Sequence, residues 1–146
     1  MYVFKLQSVL DYRKNIEEKI LNDFSEKKRE LEKEKTRLKG MIKERIDLID
    51  ELRKIHGKPL PPDEIAGRVN YVEKLREMEK KQKEVIDRVK DELEVKRIEL
   101  LEAVKKRKIM EKLKERHAEE YDADMRNKEQ KNSDEMAVLK FGRREK

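Results

Sequence analysis

One short segment of this sequence contains every proline of the chain, Pro59, Pro61 and Pro62. Proline lacks a backbone amide donor and clashes with the preceding turn, so no helix continues through this segment. The long stretches on both sides of it contain no proline. The sequence therefore predicts a single unit, residues 1–146, with a first helix at about 4–55, a turn at about 56–63, a second helix at about 64–132 or beyond, and a tail to 146.

Apolar residues in both stretches recur at steps of three, four or seven, as at Leu31 and Leu38 and at Val85, Val89 and Leu93. These steps keep side chains on one face of a helix, which forms the seam of a coiled coil. Some seam positions are polar and are expected to fix the register: Lys27, Glu34, Gln82 and Lys96. We expect an all-α fold, a long two-stranded antiparallel coiled-coil hairpin with a longer second helix, present as a monomer.

The composition agrees with a thin seam rather than a thick core. Charged residues make up 51% of the chain and apolar residues 35%, whereas globular domains average about 25% and about 45–50%. High charge with few aromatic residues is also typical of disordered chains. The regular apolar spacing favours the coiled coil over disorder.

Several function classes find no support in the residues. The chain has no cysteine, no glycine-rich phosphate loop and no nucleophile elbow, so we expect no enzyme, no cofactor and a reducing, cytoplasmic environment. His56 and His117 are expected at opposite ends of the hairpin, which gives no metal site. The sequence has no apolar run of about 18 residues, so we expect no membrane insertion. The basic run 105–108 is flanked by Glu102 and Glu111 and predicts a solvated face rather than a nucleic-acid site.

The two helices are predicted to differ in length, at roughly 75 Å and roughly 100 Å. If Ile55 lies beside Ile65, Leu6 lies near Lys114, and residues after about Arg116 have no partner in the first helix. These unpaired residues include His117, Tyr121, Met125 and the terminal segment 134–146. An unpaired amphipathic segment binds another chain or frays, so we expect a partner there.

Three segments resemble the FliJ family of flagellar export proteins. The start resembles the family's F-x-L-x-x-V-L-x-Y-R pattern through Phe4, Leu6, Val9, Leu10, Tyr12 and Arg13. A later charged segment is similar through Arg107, Lys108, Glu111, Lys112, Leu113 and Lys114. The end is similar through Asp134, Glu135, Ala137, Phe141 and Arg143 or Arg144. The resemblance covers essentially the whole chain.

The resemblance implies a stalk-like coiled coil, similar to the central shaft of rotary ATPases, that takes part in flagellum biogenesis and motility. It implies binding and stimulation of the hexameric flagellar export ATPase, contact with the cytoplasmic domain of the export gate membrane protein, and handling of export chaperones. The implied location is cytoplasmic, peripheral at the cytoplasmic face of the inner membrane at the flagellar base. We expect the ATPase contact to involve Phe4, Leu6, Leu10, Arg107, Leu113, Tyr121 and Phe141. We expect the gate contact to involve Ile42, Ile46, Ile49, Tyr71, Leu75 and Met78.

Two alternatives remain open on the sequence alone. One is a general coiled-coil scaffold, including the stalk of a related injectisome. The other is a binder of nucleic acid or another anionic surface, which strong salt-dependent binding to duplex DNA would favour.

Overall fold

The computed structural model describes residues 2–55 and 61–144, and these form two long helices, α1 (Gln7–Ile55) and α2 (Pro62–Arg144). α1 begins three residues after the expected start, since residues 2–6 are not helical. Within the expected turn, residues 56–60, including His56, lie outside the described residues. α2 starts at a proline, whose missing amide is not needed there. Asp63 and Glu64 follow in the first turn, where negative charge is favourable.

Contacts between the helices divide the chain into two units, residues Met1–Glu18 with Leu101–Lys146, and residues Lys19–Leu100. In each unit the two helical segments run antiparallel, because rising numbers on α1 meet falling numbers on α2. In the first unit Gln7 meets Lys114 and Glu17 meets Arg107, and in the second Lys27 meets Glu92 and Glu44 meets Tyr71. The chain is thus an all-α antiparallel coiled-coil hairpin with a longer second helix, as the apolar spacing predicts.

Apolar packing in the unit Lys19–Leu100 centres on Leu31, Ile86 and Val89, with Val85 and Leu93 packed against this cluster. These residues belong to the predicted seam. Burial of apolar side chains at about 25 cal/mol per Å² is the main force that holds such a pair of helices together. Val72 and Leu75, which lie nearer the start of α2, are also buried.

Polar side chains interrupt this seam at the predicted positions. The Gln82 side-chain amide donates to the Glu34 backbone oxygen at 3.0 Å and to the Glu34 carboxylate at 2.5 Å. Lys27 Nζ donates to Glu92 of the opposite helix at 2.5 Å. Lys96 pairs instead with Glu99 of its own helix, at 3.2 Å. The bond from Gln82 satisfies a buried amide, which specifies the register of this layer.

Candidate partner-binding surfaces

The non-helical residues 2–6 form a clasp that packs on α2. The Tyr2 and Tyr121 ring centroids are 5.4 Å apart, and the Phe4 ring meets His117 edge-on at 5.8 Å. The Tyr2 hydroxyl also donates to the Lys114 backbone oxygen at 3.4 Å. Phe4 is buried. Aromatic pairs in this geometry contribute about 0.5–1.5 kcal/mol beyond their buried area, so the clasp is a specific contact.

The expectation that residues after about Arg116 have no partner near the start of the chain is wrong for the residues that contact the clasp. His117 and Tyr121 contact Phe4 and Tyr2, so they are paired. Phe4 meets His117 where the register of Gln7 with Lys114 places it, one residue beyond the expected limit. The expectation started the first helix at Phe4 and so included no contact from Tyr2, which precedes the turn at residues 5 and 6 and reaches Tyr121.

Next to the clasp, polar side chains join the two helices. Lys114 Nζ donates to Gln7 Oε1 at 2.7 Å, one residue from the expected pairing with Leu6. Arg107 donates to Glu17 across the helices and to Glu111 of its own helix. The hydrogen bond to Glu17 is the main cause that raises the pKa of Arg107, with a further contribution from Glu111. Arg107 is therefore held in the hairpin.

The seven residues expected to meet the ATPase all belong to the unit Met1–Glu18 with Leu101–Lys146. Phe4 and Leu10 are buried within this unit, so neither side chain is available to a partner while the hairpin is closed. Leu6 is 40% exposed, whereas Arg107, Leu113 and Tyr121 are half-buried. Phe141 is exposed. It lies about 30 Å along α2 from Tyr121 and points away from the Tyr121 face.

Residues 122–143, named the overhang here, are the part of α2 beyond the clasp. Every residue of the overhang is exposed. Its large apolar side chains are Met125, Met136, Val138, Leu139 and Phe141, with 41–70% of each exposed. A helix that exposes this many apolar side chains fits a surface for another chain.

The residues expected to meet the gate all lie in the unit Lys19–Leu100. Leu75 is buried, Ile42 and Ile49 are half-buried, and the remaining three, Ile46, Tyr71 and Met78, are exposed. The hydroxyl of Tyr71 donates to Glu44 at 2.8 Å, and this bond is the main cause that raises the tyrosine pKa.

These gate residues do not form one continuous patch. Glu44 and Ile46 leave α1 about 160° apart, since they are two residues apart in a helix. The ring of Tyr71 lies on the Glu44 side of α1 because of its hydrogen bond to that carboxylate. Tyr71 and Met78, seven residues apart on α2, share one face, and Ile46 faces another direction.

One buried ionic contact was not predicted from the sequence. Glu79 is 7% exposed, and its carboxylate accepts a hydrogen bond from Arg45 Nε at 2.7 Å. Glu79 stands four residues after Leu75 and three before Gln82, at the steps that define the seam. This spacing places Glu79 in the seam. The pattern of apolar residues does not include it, because Glu79 is charged.

Residues 2–55 and 61–144 contain no group of three or more His, Cys, Asp or Glu side chains that could hold a metal ion. Neither described helix has a stretch long and apolar enough to cross a membrane.

A sequence model of the flagellar FliJ protein family matches residues 2–146. The chain belongs to the FliJ family. The match includes the clasp, both helices and the overhang, so the resemblance found in three segments extends through the whole hairpin. FliJ proteins are non-catalytic components of the flagellar export apparatus. Searches of curated proteins and of solved structures return no match.

The FliJ pattern at the start of the chain has two structural roles in this hairpin. Phe4 and Leu10 are buried against α2 and hold the N-terminal end of the pair together. Leu6, Val9 and Tyr12 of the same pattern are 37–59% exposed. The pattern therefore combines residues that stabilise the hairpin with residues that remain available to a partner.

Proposed function

We propose that this chain is the stalk of the flagellar export ATPase, which it binds and stimulates without chemistry of its own. Family membership supports the setting in the export apparatus. The overhang carries the proposal, because five large apolar side chains of this otherwise mostly polar helix are exposed, which fits contact with another protein.

The mechanism follows from symmetry. One hairpin within a ring of six equal subunits contacts those subunits unequally. Unequal contacts stabilise different conformations of the subunits, and a ligand shifts an equilibrium by its differential affinity for the states. The stalk would thereby couple the hydrolysis cycle to the order in which subunits change conformation.

The overhang and the exposed part of the N-terminal pattern are the proposed ATPase surface. Both belong to the unit Met1–Glu18 with Leu101–Lys146. Leu6 and Phe141 keep their expected role as direct contacts, because their side chains are exposed. Phe4, Leu10, Arg107, Leu113 and Tyr121 are buried or half-buried and would act by holding the clasp and seam in place.

The ATP hydrolysis rate of the cognate export ATPase tests this proposal, with the full chain and with a chain that lacks residues 122–146. The truncation leaves Tyr121 and His117 in place, so the clasp is kept. We expect the full chain to raise the rate and the truncated chain to lose most of the increase. Equal stimulation by both chains would move the contact to the paired helices, and no stimulation by either would refute the stalk.

The proposed gate surface is the exposed side of the unit Lys19–Leu100 that carries Tyr71 and Met78. Because Leu75 is buried, a change there would alter hairpin stability as well as any contact. We expect Tyr71→Ala with Met78→Ala to weaken binding of the gate's cytoplasmic domain, measured by calorimetry. Val95→Ala is the matched control, since Val95 is 54% exposed in the same unit. Equal affinities for both variants would contradict this assignment.

Handling of export chaperones and a location at the cytoplasmic face of the inner membrane, at the flagellar base, complete the proposal. Both are supported by family membership. Fractionation of cells with and without the gate protein tests the location. We expect the chain to leave the membrane fraction when the gate is absent.

A further inference from the structure

The face of α2 that packs on α1 continues without interruption into the overhang. Near the clasp this face carries Ala103, which is buried, Arg107 and Lys114, which contact α1, and His117 and Tyr121, which contact the clasp. Steps of four and three lead from Tyr121 along the same face of the overhang, through Met125, Lys128, Asn132, Met136, Leu139 and Arg143. These positions fall within an arc of about 80° on a helix of 3.6 residues per turn.

This stripe has a symmetric order about Asn132. Met125 lies seven residues before it and Leu139 seven residues after it, and Lys128 and Met136 lie four residues to either side. In an antiparallel pair of these helices centred on Asn132, Met125 of each copy therefore lies opposite Leu139 of the other. It also places Asn132 opposite itself, where a single asparagine in a seam fixes register.

We propose that the overhangs of two copies of this chain pair with each other in this antiparallel register. The α1–α2 seam, which ends at the clasp, would then be continued by a second copy of α2 in place of α1. The occupant is a second copy because the stripe matches itself in reverse, and this pairing occupies the overhang only while the ATPase ring does not.

The charges beside the stripe agree with this register. On one side of the seam Asp122 of one copy comes near Lys140 of the other, and on the other side Glu135 comes near Lys131, where it offsets the approach of the two Lys131 side chains beside the axis. Two-fold symmetry repeats each pair. In antiparallel coiled coils such opposite charges flanking the seam select partner and orientation. Lys128 covers Met136 of the other copy with its aliphatic stem.

In the proposed register Tyr121, where the clasp sits, lies opposite Arg143 of the other copy. The paired stretch between these two positions is about 33 Å long. The paired stretch has few apolar layers, so the dimer is weak and depends on concentration.

Cysteine crosslinking of the full chain tests the pairing and its direction, because the natural sequence contains no cysteine. Asn132→Cys places two thiols across the symmetry axis, and Phe141→Cys is the control on the opposite face of the helix. Met125→Cys as a single substitution brings two thiols together in a parallel pair but not in the antiparallel pair. We expect Asn132→Cys to form the disulfide dimer about tenfold or more faster than either other variant, owing to its higher effective concentration.

Two crosslinking results would overturn the proposal. Equal rates for Asn132→Cys and Phe141→Cys mean that the stripe does not pair. Equal and fast rates for Asn132→Cys and Met125→Cys mean parallel pairing.

Sedimentation equilibrium of cysteine-free chains gives a second test. The average mass of the natural chain should rise with concentration, whereas Met125→Glu with Leu139→Glu should stay monomeric. Val138→Glu, off the stripe, should behave as the natural chain. A natural chain that stays monomeric at every concentration would overturn the proposal. Neither test contains the ATPase, so the outcome is independent of the proposed stalk function.

Discussion

Leu75 gives the sharpest test of the packing, since it is among the gate residues expected from the sequence yet only 1% of it is exposed. Leu75→Ala removes three carbon groups from the seam, at about 0.8 kcal/mol each, or about 2.4 kcal/mol. Leu→Ala changes in protein cores cost about 2–5 kcal/mol, and a two-helix seam relaxes and admits water more readily than a thick core. We therefore expect a loss of about 2–3 kcal/mol in the free energy of unfolding.

Urea unfolding followed by circular dichroism measures this loss, provided that the slope of the transition is unchanged. Met78→Ala is the control in the same stretch of α2, because Met78 is 48% exposed. It should cost less than about 1 kcal/mol, since about half of its surface stays in water in the folded chain. A Leu75→Ala variant as stable as Met78→Ala would refute the placement of Leu75 in the seam.

Three further predictions concern other parts of the hairpin. Gly40→Ala should raise stability by about 0.5–1 kcal/mol in thermal unfolding, because an added Cβ meets nothing within 4 Å in mid-helix. The hydrogen bond from Lys27 lowers the pKa of Glu92 below its ordinary 4.5. This stabilisation is present above that pH and lost as pH falls through the folded value, so Glu92→Gln should lower the melting temperature at neutral pH but not in strong acid. Phe4→Ala should release the clasp from His117 and speed amide exchange in the first turn of α1 only; unchanged exchange there would contradict the clasp.

The seam was predictable because its signal is repeated along the chain. Steps of three and four located Leu31, Ile86 and Val89, and polar residues at the same steps located the layer that joins Glu34 to Gln82. A register based on the proline segment placed Leu6 near Lys114, and the structure joins Gln7 to Lys114.

The contacts of the clasp were not predictable in the same way, nor was the difference between exposed and buried residues within the expected binding surfaces. Helical spacing carries no information on the non-helical residues 2–6, so the reach of Tyr2 to Tyr121 was missed. The sequence also does not show which apolar residues of a seam remain exposed. The exposed Tyr71 and the buried Leu75 are four residues apart on α2, and their difference depends on the position of α1.

Hydrogen exchange of the overhang, with and without the cognate ATPase ring, measures the proposed contact residue by residue. We expect slower amide exchange across residues 122–143 when the ring is present, and little change around Leu31 in the core of the other unit. Unchanged exchange in the overhang at ring concentrations that stimulate hydrolysis would refute the overhang as the ATPase surface, since the chain would then bind the ring through another surface.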